Sequence, residues 1–293
     1  MNVPYISNSE NGWLTVSGVG DLSVFRTFDC GQCFRFDPAR SPTHAFEVEG
    51  IAFSRHVSFG ENGDGDLYIK ASEEDFNSIW KSYLSLDVDY DAINEKILKS
   101  LSGKDALHME RACNASRGIR ILRQDSWEAL CSFIISQNNN IPRIKKIIAA
   151  LSERFGEAID GGYAFPTPEA LKEAGEERIF ELKTGFRAKY IYDAACKVAD
   201  GELSFDSIRG ASDYAEAQRL LSSVKGVGPK VAACALLFGF GRTDAFPIDV
   251  WIRRVIEKRF ENGLDPSLFG DVAGIAQQYL FYYERYVSDT DKD

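Results

Sequence analysis

Lys230 stands in the first turn of a helix introduced by the run Val224-Lys225-Gly226-Val227-Gly228-Pro229. A cation is disfavoured there by the positive end of the helix. Partial burial beside Val231 and Ala232 would act in the same direction, and both effects lower an amine's pKa. A neutral amine is a nucleophile and condenses with sugar aldehydes to Schiff bases. Nineteen residues on, Asp249 follows the apolar stretch Ala245-Phe246-Pro247-Ile248 and opens another helix. A carboxylate in that place caps the helix, or holds negative charge where a sugar becomes cationic as its base departs. By residue type alone, Lys230 equally fits a solvated lysine and Asp249 equally fits a cap.

The turn before Lys230 is a second chemical feature. Gly226 and Gly228 permit a bend whose N–H groups point outward, and Pro229 suits the first turn of the helix that follows. Such N–H groups bind anions, and a phosphate fits them. The pattern is that of a helix-hairpin-helix, which grips a nucleic-acid backbone without reading its sequence. A plain glycine turn between packed helices fits the same residues. The third feature is the run Ser132 to Arg143, where an apolar helix ends in Asn138-Asn139-Asn140 and a basic helix begins. Short amides at such a tip can enter a duplex and bond to an orphaned base; they also form ordinary polar turns.

These groups need elements to hold them. Trp127, Leu130, Cys131, Ile134 and Ile135 fall on one helical face, and Ile141, Ile144, Ile148 and Leu151 repeat the spacing. Asp125 or Ser126 is the expected cap of the first. Further helices are expected near 168–183, 187–200, 212–222, 229–240, 250–261 and 271–287. Up to about residue 75 the pattern is short strands, including 13–17, 33–36, 46–48 and 67–69, bounded by turn residues. Residues 62–66 look like a hairpin loop. A misplaced glycine and a missing glutamate exclude a calcium loop there. The expected fold is α+β, with an antiparallel β-sheet domain over 1–115 and a helical core over 116–293.

Composition sets limits on function. With 293 residues there is room for about two domains, and 12% aromatic residues exclude a disordered chain. No apolar run approaches the ~18 residues of a membrane span. Residues 1–10 lack a basic segment followed by an apolar one, so an intracellular location without membrane attachment is expected. Six cysteines are too sparse for a disulfide scaffold. Cys30-x-x-Cys33 would need a second Cys or His pair to hold zinc, and His44, His56 and His108 form no ligand pattern. No cysteine follows Asp249, so an iron–sulfur cluster is not expected. A formal charge of −10 opposes a nucleic-acid partner, but the charge is uneven. Residues 1–116 hold −8, and the tail residues Asp289, Asp291, Lys292 and Asp293 account for the rest. Arg117, Arg120, Arg123, Arg143, Lys145, Lys146 and Arg154 face only Asp125, Glu128 and Glu153 within 117–154, so a local basic face is expected.

Taken together, the chain resembles the 8-oxoguanine DNA glycosylase/AP lyase family of the helix-hairpin-helix superfamily. The resemblance is carried by residues 31–35, 122–128, 138–143, 185–190, 224–234, 247–250 and 273–281, in order along nearly the whole chain. It implies a β domain followed by two helical subdomains with a cleft between them. It implies an enzyme that excises 8-oxoguanine from duplex DNA. Lys230 would attack C1′ of a flipped nucleotide, expel the base, form a Schiff base and cleave the strand by β-elimination, with Asp249 stabilising charge. The Gly31 carbonyl would accept from N7–H of the oxidised base, where guanine itself carries an acceptor. Gln277 would read the Watson–Crick edge, and Phe281 and Cys234 would flank the ring, so that helix 271–287 contributes to the base pocket. Asn138, Arg143 and Arg187 would surround the orphaned cytosine, Phe186 would wedge between bases, and Gly226, Val227 and Gly228 would hold phosphate. The backbone of Val224 and Val227 would take a monovalent cation. No other cofactor is implied, and a monomer is expected.

The chain departs from the family pattern at Phe186, where a tyrosine is frequent, at Trp251, where a histidine is frequent, and at Cys33, where a serine is frequent. Two other readings stay open: a helix-hairpin-helix glycosylase for another damaged base, and a non-catalytic DNA-binding protein. Lys230 disfavours a purely hydrolytic enzyme, and binding alone needs neither Lys230 nor Asp249.

Overall fold

The computed structural model describes residues 3–288; Asp289, Asp291, Lys292 and Asp293 lie outside the described residues. Alternation builds the sheet. In β2 (Trp13–Ser17), Leu14 and Val16 are buried and their neighbours are not, the period of a strand with one covered face. β1 (Tyr5–Glu10), β3 (Phe36–Ala39), β4 (Phe46–Ala52), β5 (Arg55–Glu61) and β6 (Leu67–Lys70) complete a six-stranded antiparallel sheet. Its order is β1-β2-β6-β5-β4-β3. The 62–66 loop joins β5 to β6, with Ser58 opposite Lys70 and Gly60 opposite Tyr68.

The strand expected at 33–36 is displaced: only Phe36 belongs to β3, which runs on to Ala39. Gln32 explains the shift. Its buried amide donates to Thr27 O and Arg120 O, both at 2.8 Å, and accepts from Leu122 N at 2.9 Å. The chain up to that point is therefore tied to other segments, and pairing begins after it.

The helical part is built on two helices buried on almost every side, Ser126–Ser136 and Pro229–Phe240. Asp125 caps the first, accepting from Glu128 N at 2.9 Å. Ser126 Oγ donates to Gly239 O at 2.7 Å, and the Phe133 and Phe238 rings stack at 5.3 Å. Helices Ile141–Phe155, Ala188–Ala199, Tyr214–Leu221, Val250–Arg259 and Ala273–Tyr282 surround this pair. Two helices differ from expectation. The first is Pro168–Ile179, interrupted at Gly175 (φ +78) and followed by a widened turn over Phe180–Thr184. The last is regular only over Ala273–Tyr282 and ends in the wide turn Tyr283–Val287.

Two buried clusters result. One lies under the sheet and includes Phe59, Trp80 and Tyr83. The other fills the helical array and takes in Tyr90, Ile97, Met109 and Cys113 from helices Tyr90–Lys99 and Gly103–Ala115. Among the described residues no helix is long and apolar enough to cross a membrane.

The basic face expected over 117–154 is mostly neutralised. Arg117 and Arg120 pair with Asp21 at 2.9 and 2.8 Å, Arg123 with Asp87 at 2.9 Å, and Lys145 with Asp37 at 2.6 Å. Arg120 is itself buried and stacks on Tyr90. The neutralising carboxylates come from distant segments, which local charge counting does not see.

Candidate active site

The hairpin follows helix Tyr214–Leu221. Gly226 takes φ +75, and a Cβ on it would lie 2.4 Å from the Tyr190 ring. Only glycine allows both the backbone and the ring to be there. Val227 N donates to Val224 O at 3.1 Å, and Lys225 N donates to Asp193 Oδ2 at 2.8 Å. Burial alone would raise the Asp193 carboxyl; hydrogen bonds from Lys225 and Lys197 outweigh it and hold it below the usual carboxylate range. Gly228 is the N-cap residue, Pro229 opens the helix, and Lys230 follows.

Lys230, Cys234 and Phe238 recur every four residues and so share one helix face. That face lines a pocket together with Cys30, Gly31, Phe133, Pro247, Asp249, Gln277, Gln278 and Phe281. Six residues singled out from the sequence, namely Lys230, Asp249, Gly31, Cys234, Gln277 and Phe281, thus meet around one space. The Lys230 ammonium nitrogen lies 5.8 Å from the Phe133 ring centre. Burial pushes the Cys234 thiol up to about 11; Lys230 acts on it in the opposite direction and Asp249 in the same one. Both charged groups therefore stand close to the same sulfur. Asp249 also caps helix Val250–Arg259, accepting from Ile252 N at 2.8 Å. Asp249 therefore caps a helix and lines the pocket at once.

Gln277 is 4% exposed, and its Oε1 has no hydrogen-bond partner among the described residues. A buried acceptor left unpaired costs about 1–3 kcal/mol, and such exceptions call for an explanation. Its neighbour Gln278 donates to Cys30 O at 2.9 Å. The loop carrying Gly31 (φ +77) is therefore held from one side by Gln278 and from the other by Gln32. Gly274 lets the helix approach closely: a Cβ there would lie 2.4 Å from Leu237 Cδ1 and 2.7 Å from Ala245 O. Burial pushes the Cys30 thiol up to about 12 and Cys33 higher still, which opposes thiolate chemistry at this Cys-x-x-Cys.

The asparagine tip follows the helix that carries Phe133 into the pocket. Asn140 caps helix Ile141–Phe155, accepting from Arg143 N at 3.0 Å, and Asn139 donates to Ile135 O at 3.0 Å. Asn138 is exposed and stands at φ +46. Arg143 is exposed and touches Lys183 O at 3.3 Å. Phe186 is 46% exposed. Arg187, expected around the orphaned cytosine, lies directly beneath this tip. It is 2% exposed and donates to Gln137 O, to Asn138 O at 2.9 Å and to Thr184 O at 3.1 Å. Gln137 is the C-cap of helix Ser126–Ser136, where carbonyls lack helical partners, and the planar guanidinium takes its carbonyl and those of two turn residues. Trp251 is 37% exposed, with the Arg254 guanidinium 5.4 Å over its ring.

Residue type and spacing assign no role to Gln32, Gln278, Phe133 or Tyr190. The two glutamines adjoin residues that were singled out, which is the only local signal they carry. Phe133 and Tyr190 look like ordinary core aromatics.

Fold and pocket together define a class. Residues 131–264 match the HhH-GPD superfamily of base excision DNA repair proteins, and residues 17–130 match the N-terminal domain of 8-oxoguanine DNA glycosylase. The chain belongs to the 8-oxoguanine DNA glycosylase family within that superfamily. A structure of MBOgg1 in complex with a low-affinity DNA ligand is 39% identical with a TM-score of 0.85, covering 96% of this chain and 98% of that one. The Clostridium acetobutylicum 8-oxoguanine glycosylase/lyase, bound to duplex DNA with cytosine opposite 8-oxoG, is 35% identical with a TM-score of 0.86. That match covers 97% of this chain and 99% of the other. An N-glycosylase/DNA lyase from Saccharomyces cerevisiae is 39% identical over 160 residues, half of this chain. The match spans 43% of the yeast protein's length.

Proposed function

We propose that the protein is a bifunctional DNA glycosylase/AP lyase that removes 8-oxoguanine from duplex DNA. The observation that carries the reading is the single pocket in which an amine, a carboxylate and an unpaired buried acceptor meet: Lys230, Asp249 and Gln277. The lone pair of the Lys230 amine attacks C1′ of a flipped nucleotide, and the C1′–N9 bond breaks with its electrons leaving on the base. Asp249 stabilises the positive charge that develops on the sugar. Ring opening gives a protonated imine between Lys230 and C1′. Loss of a C2′ proton then expels the 3′ phosphate by β-elimination, cutting the strand.

Recognition of the base rests on complementary donors and acceptors. The Gly31 carbonyl, on a loop fixed by Gln32 and Gln278, accepts from N7–H and repels the N7 lone pair of guanine. Gln277 Oε1 is an acceptor in want of a donor, which a Watson–Crick edge supplies. Cys234 and Phe281 flank the ring. Asn138 and Arg143 contact the orphaned base, Phe186 wedges into the stack, and the hairpin at Gly226, Val227 and Gly228 holds phosphate. A monovalent cation on the carbonyls of Val224 and Val227 would bridge the hairpin to phosphate; Val227 N takes only one lone pair of Val224 O.

The test is incision of duplexes carrying 8-oxoguanine, an alkylated purine or no lesion, each with and without borohydride. Incision and a covalent adduct confined to 8-oxoguanine are expected. Excision of alkylated bases without an adduct would favour a hydrolytic relative. Binding without excision would leave only a DNA-binding protein.

A further inference from the structure

A continuous line of packed side chains joins the Asn138 tip to the hairpin that carries Lys230. It starts at the turn, where the Tyr190 ring fills the space beside Gly226 that a Cβ would need. Phe186, one helical turn earlier, meets Tyr190 edge to face, with centroids 5.9 Å apart at 72°. The Arg187 guanidinium lies 4.4 Å over the Phe186 ring. The same guanidinium holds the carbonyls of Gln137, Asn138 and Thr184. Asn138 stands in the left-handed region at φ +46, and its carbonyl is held by a hydrogen bond. Arg187 provides that hold.

We propose that Tyr190 is a positioning residue that couples the identity of the base opposite the lesion to the placement of Lys230. The inference rests on the function proposed above and deepens it. An opposite base that Asn138 accepts leaves the tip carbonyls where Arg187 grips them. A base that Asn138 rejects displaces those carbonyls, and Arg187 moves with them. Phe186 and Tyr190 follow, because the guanidinium lies over the first ring and the first ring meets the second edge to face. Tyr190 has no slack toward the hairpin, since its ring already touches the Gly226 backbone. Movement of Gly226 carries Pro229 and Lys230, the first two residues of the next helix. A misplacement of ~1 Å at a reacting group costs ~10²-fold in rate. Tyr190 lines neither the base pocket nor the tip, so changing it isolates the connection.

The experiment is single-turnover excision of 8-oxoguanine opposite each of the four bases by wild type, Tyr190→Leu, Asn138→Ala and the double variant. The wild-type rate is expected to depend on the opposite base. Tyr190→Leu should shrink the ratio between the best and worst opposite base by about fivefold or more, with duplex affinity near wild type. Asn138→Ala should do the same, and the double variant should be no worse than either single one. Tyr190→Phe, which keeps the ring, should retain the wild-type ratio. Should Tyr190→Leu fail to fold, Tyr190→Met, which keeps apolar bulk but not the ring, reads the same ratio. The coupling is overturned if Tyr190→Leu slows excision equally opposite every base, or if the two single effects multiply. It is also overturned by a wild type indifferent to the opposite base. A wild type that excises no 8-oxoguanine at all overturns the function itself.

Discussion

The base pocket and the asparagine tip both present polar side chains to a space where DNA would lie, yet those side chains have different partners. In the pocket, Gln277 Oε1 is buried without a partner, and Lys230 shares its space with rings, a thiol and Asp249. At the tip, Arg187 already donates to the carbonyls of Gln137, Asn138 and Thr184. The difference follows from what surrounds each group. The pocket offers Gln277 Oε1 no internal donor, so that acceptor stays available. A helix end exposes carbonyls without partners, and a nearby arginine finds them before any ligand arrives. Residue type is therefore a better guide to function inside the pocket than at the tip.

The sharpest way to break this comparison is Lys230→Gln. Strand cleavage and borohydride trapping should fall by ~10³-fold or more, while gel-shift affinity for the 8-oxoguanine duplex stays near wild type. Loss of affinity together with activity would mean a folding defect and not a missing nucleophile. Gln277→Ala comes next. Its expected cost is ~10-fold to 10²-fold in the preference for 8-oxoguanine over guanine, by analogy with other buried polar contacts. Equal losses on damaged and undamaged duplex would contradict a recognition role.

Smaller effects sharpen the account outside the pocket. Arg143→Ala should reduce the slope of log affinity against log salt by about 1, whereas Arg117→Ala, already paired with Asp21, should leave the slope unchanged. Equal slopes for both variants would remove the distinction between engaged and available cations. His108 is a control that lines neither region, packed edge-on against Phe260 and Tyr283. Burial, with Arg259 and Arg111 nearby, pushes it down to about 4. The unfolded chain therefore binds its proton first, so stability present above pH 6.5 is lost as pH falls toward 4. His108→Phe should shrink the difference between urea midpoints at the two ends of that range. An unchanged difference would show that His108 does not contribute to the acid loss.

Much of the fold was legible because its signals are local. Alternation marked β2, and helical spacing marked Ser126–Ser136 and Ile141–Phe155. Cap and turn residues marked Asp125, Gly228 and Pro229. The start of β3 was not, because it depends on Gln32 reaching Arg120 and Leu122 far along the chain. The pocket residues were legible through the family resemblance. The burial of Arg187 and the neutralisation of Arg120 and Arg123 were not, since each depends on a partner supplied by another segment. Tyr190 escaped notice for the same reason: its contact with Gly226 exists only once two helices have met.

The most direct measurement is peptide mapping by mass spectrometry of the borohydride-reduced conjugate formed on an 8-oxoguanine duplex. The account predicts the sugar remnant on the ε-nitrogen of Lys230. A remnant on Lys225 or on any other amine, with Lys230 unmodified, would contradict it.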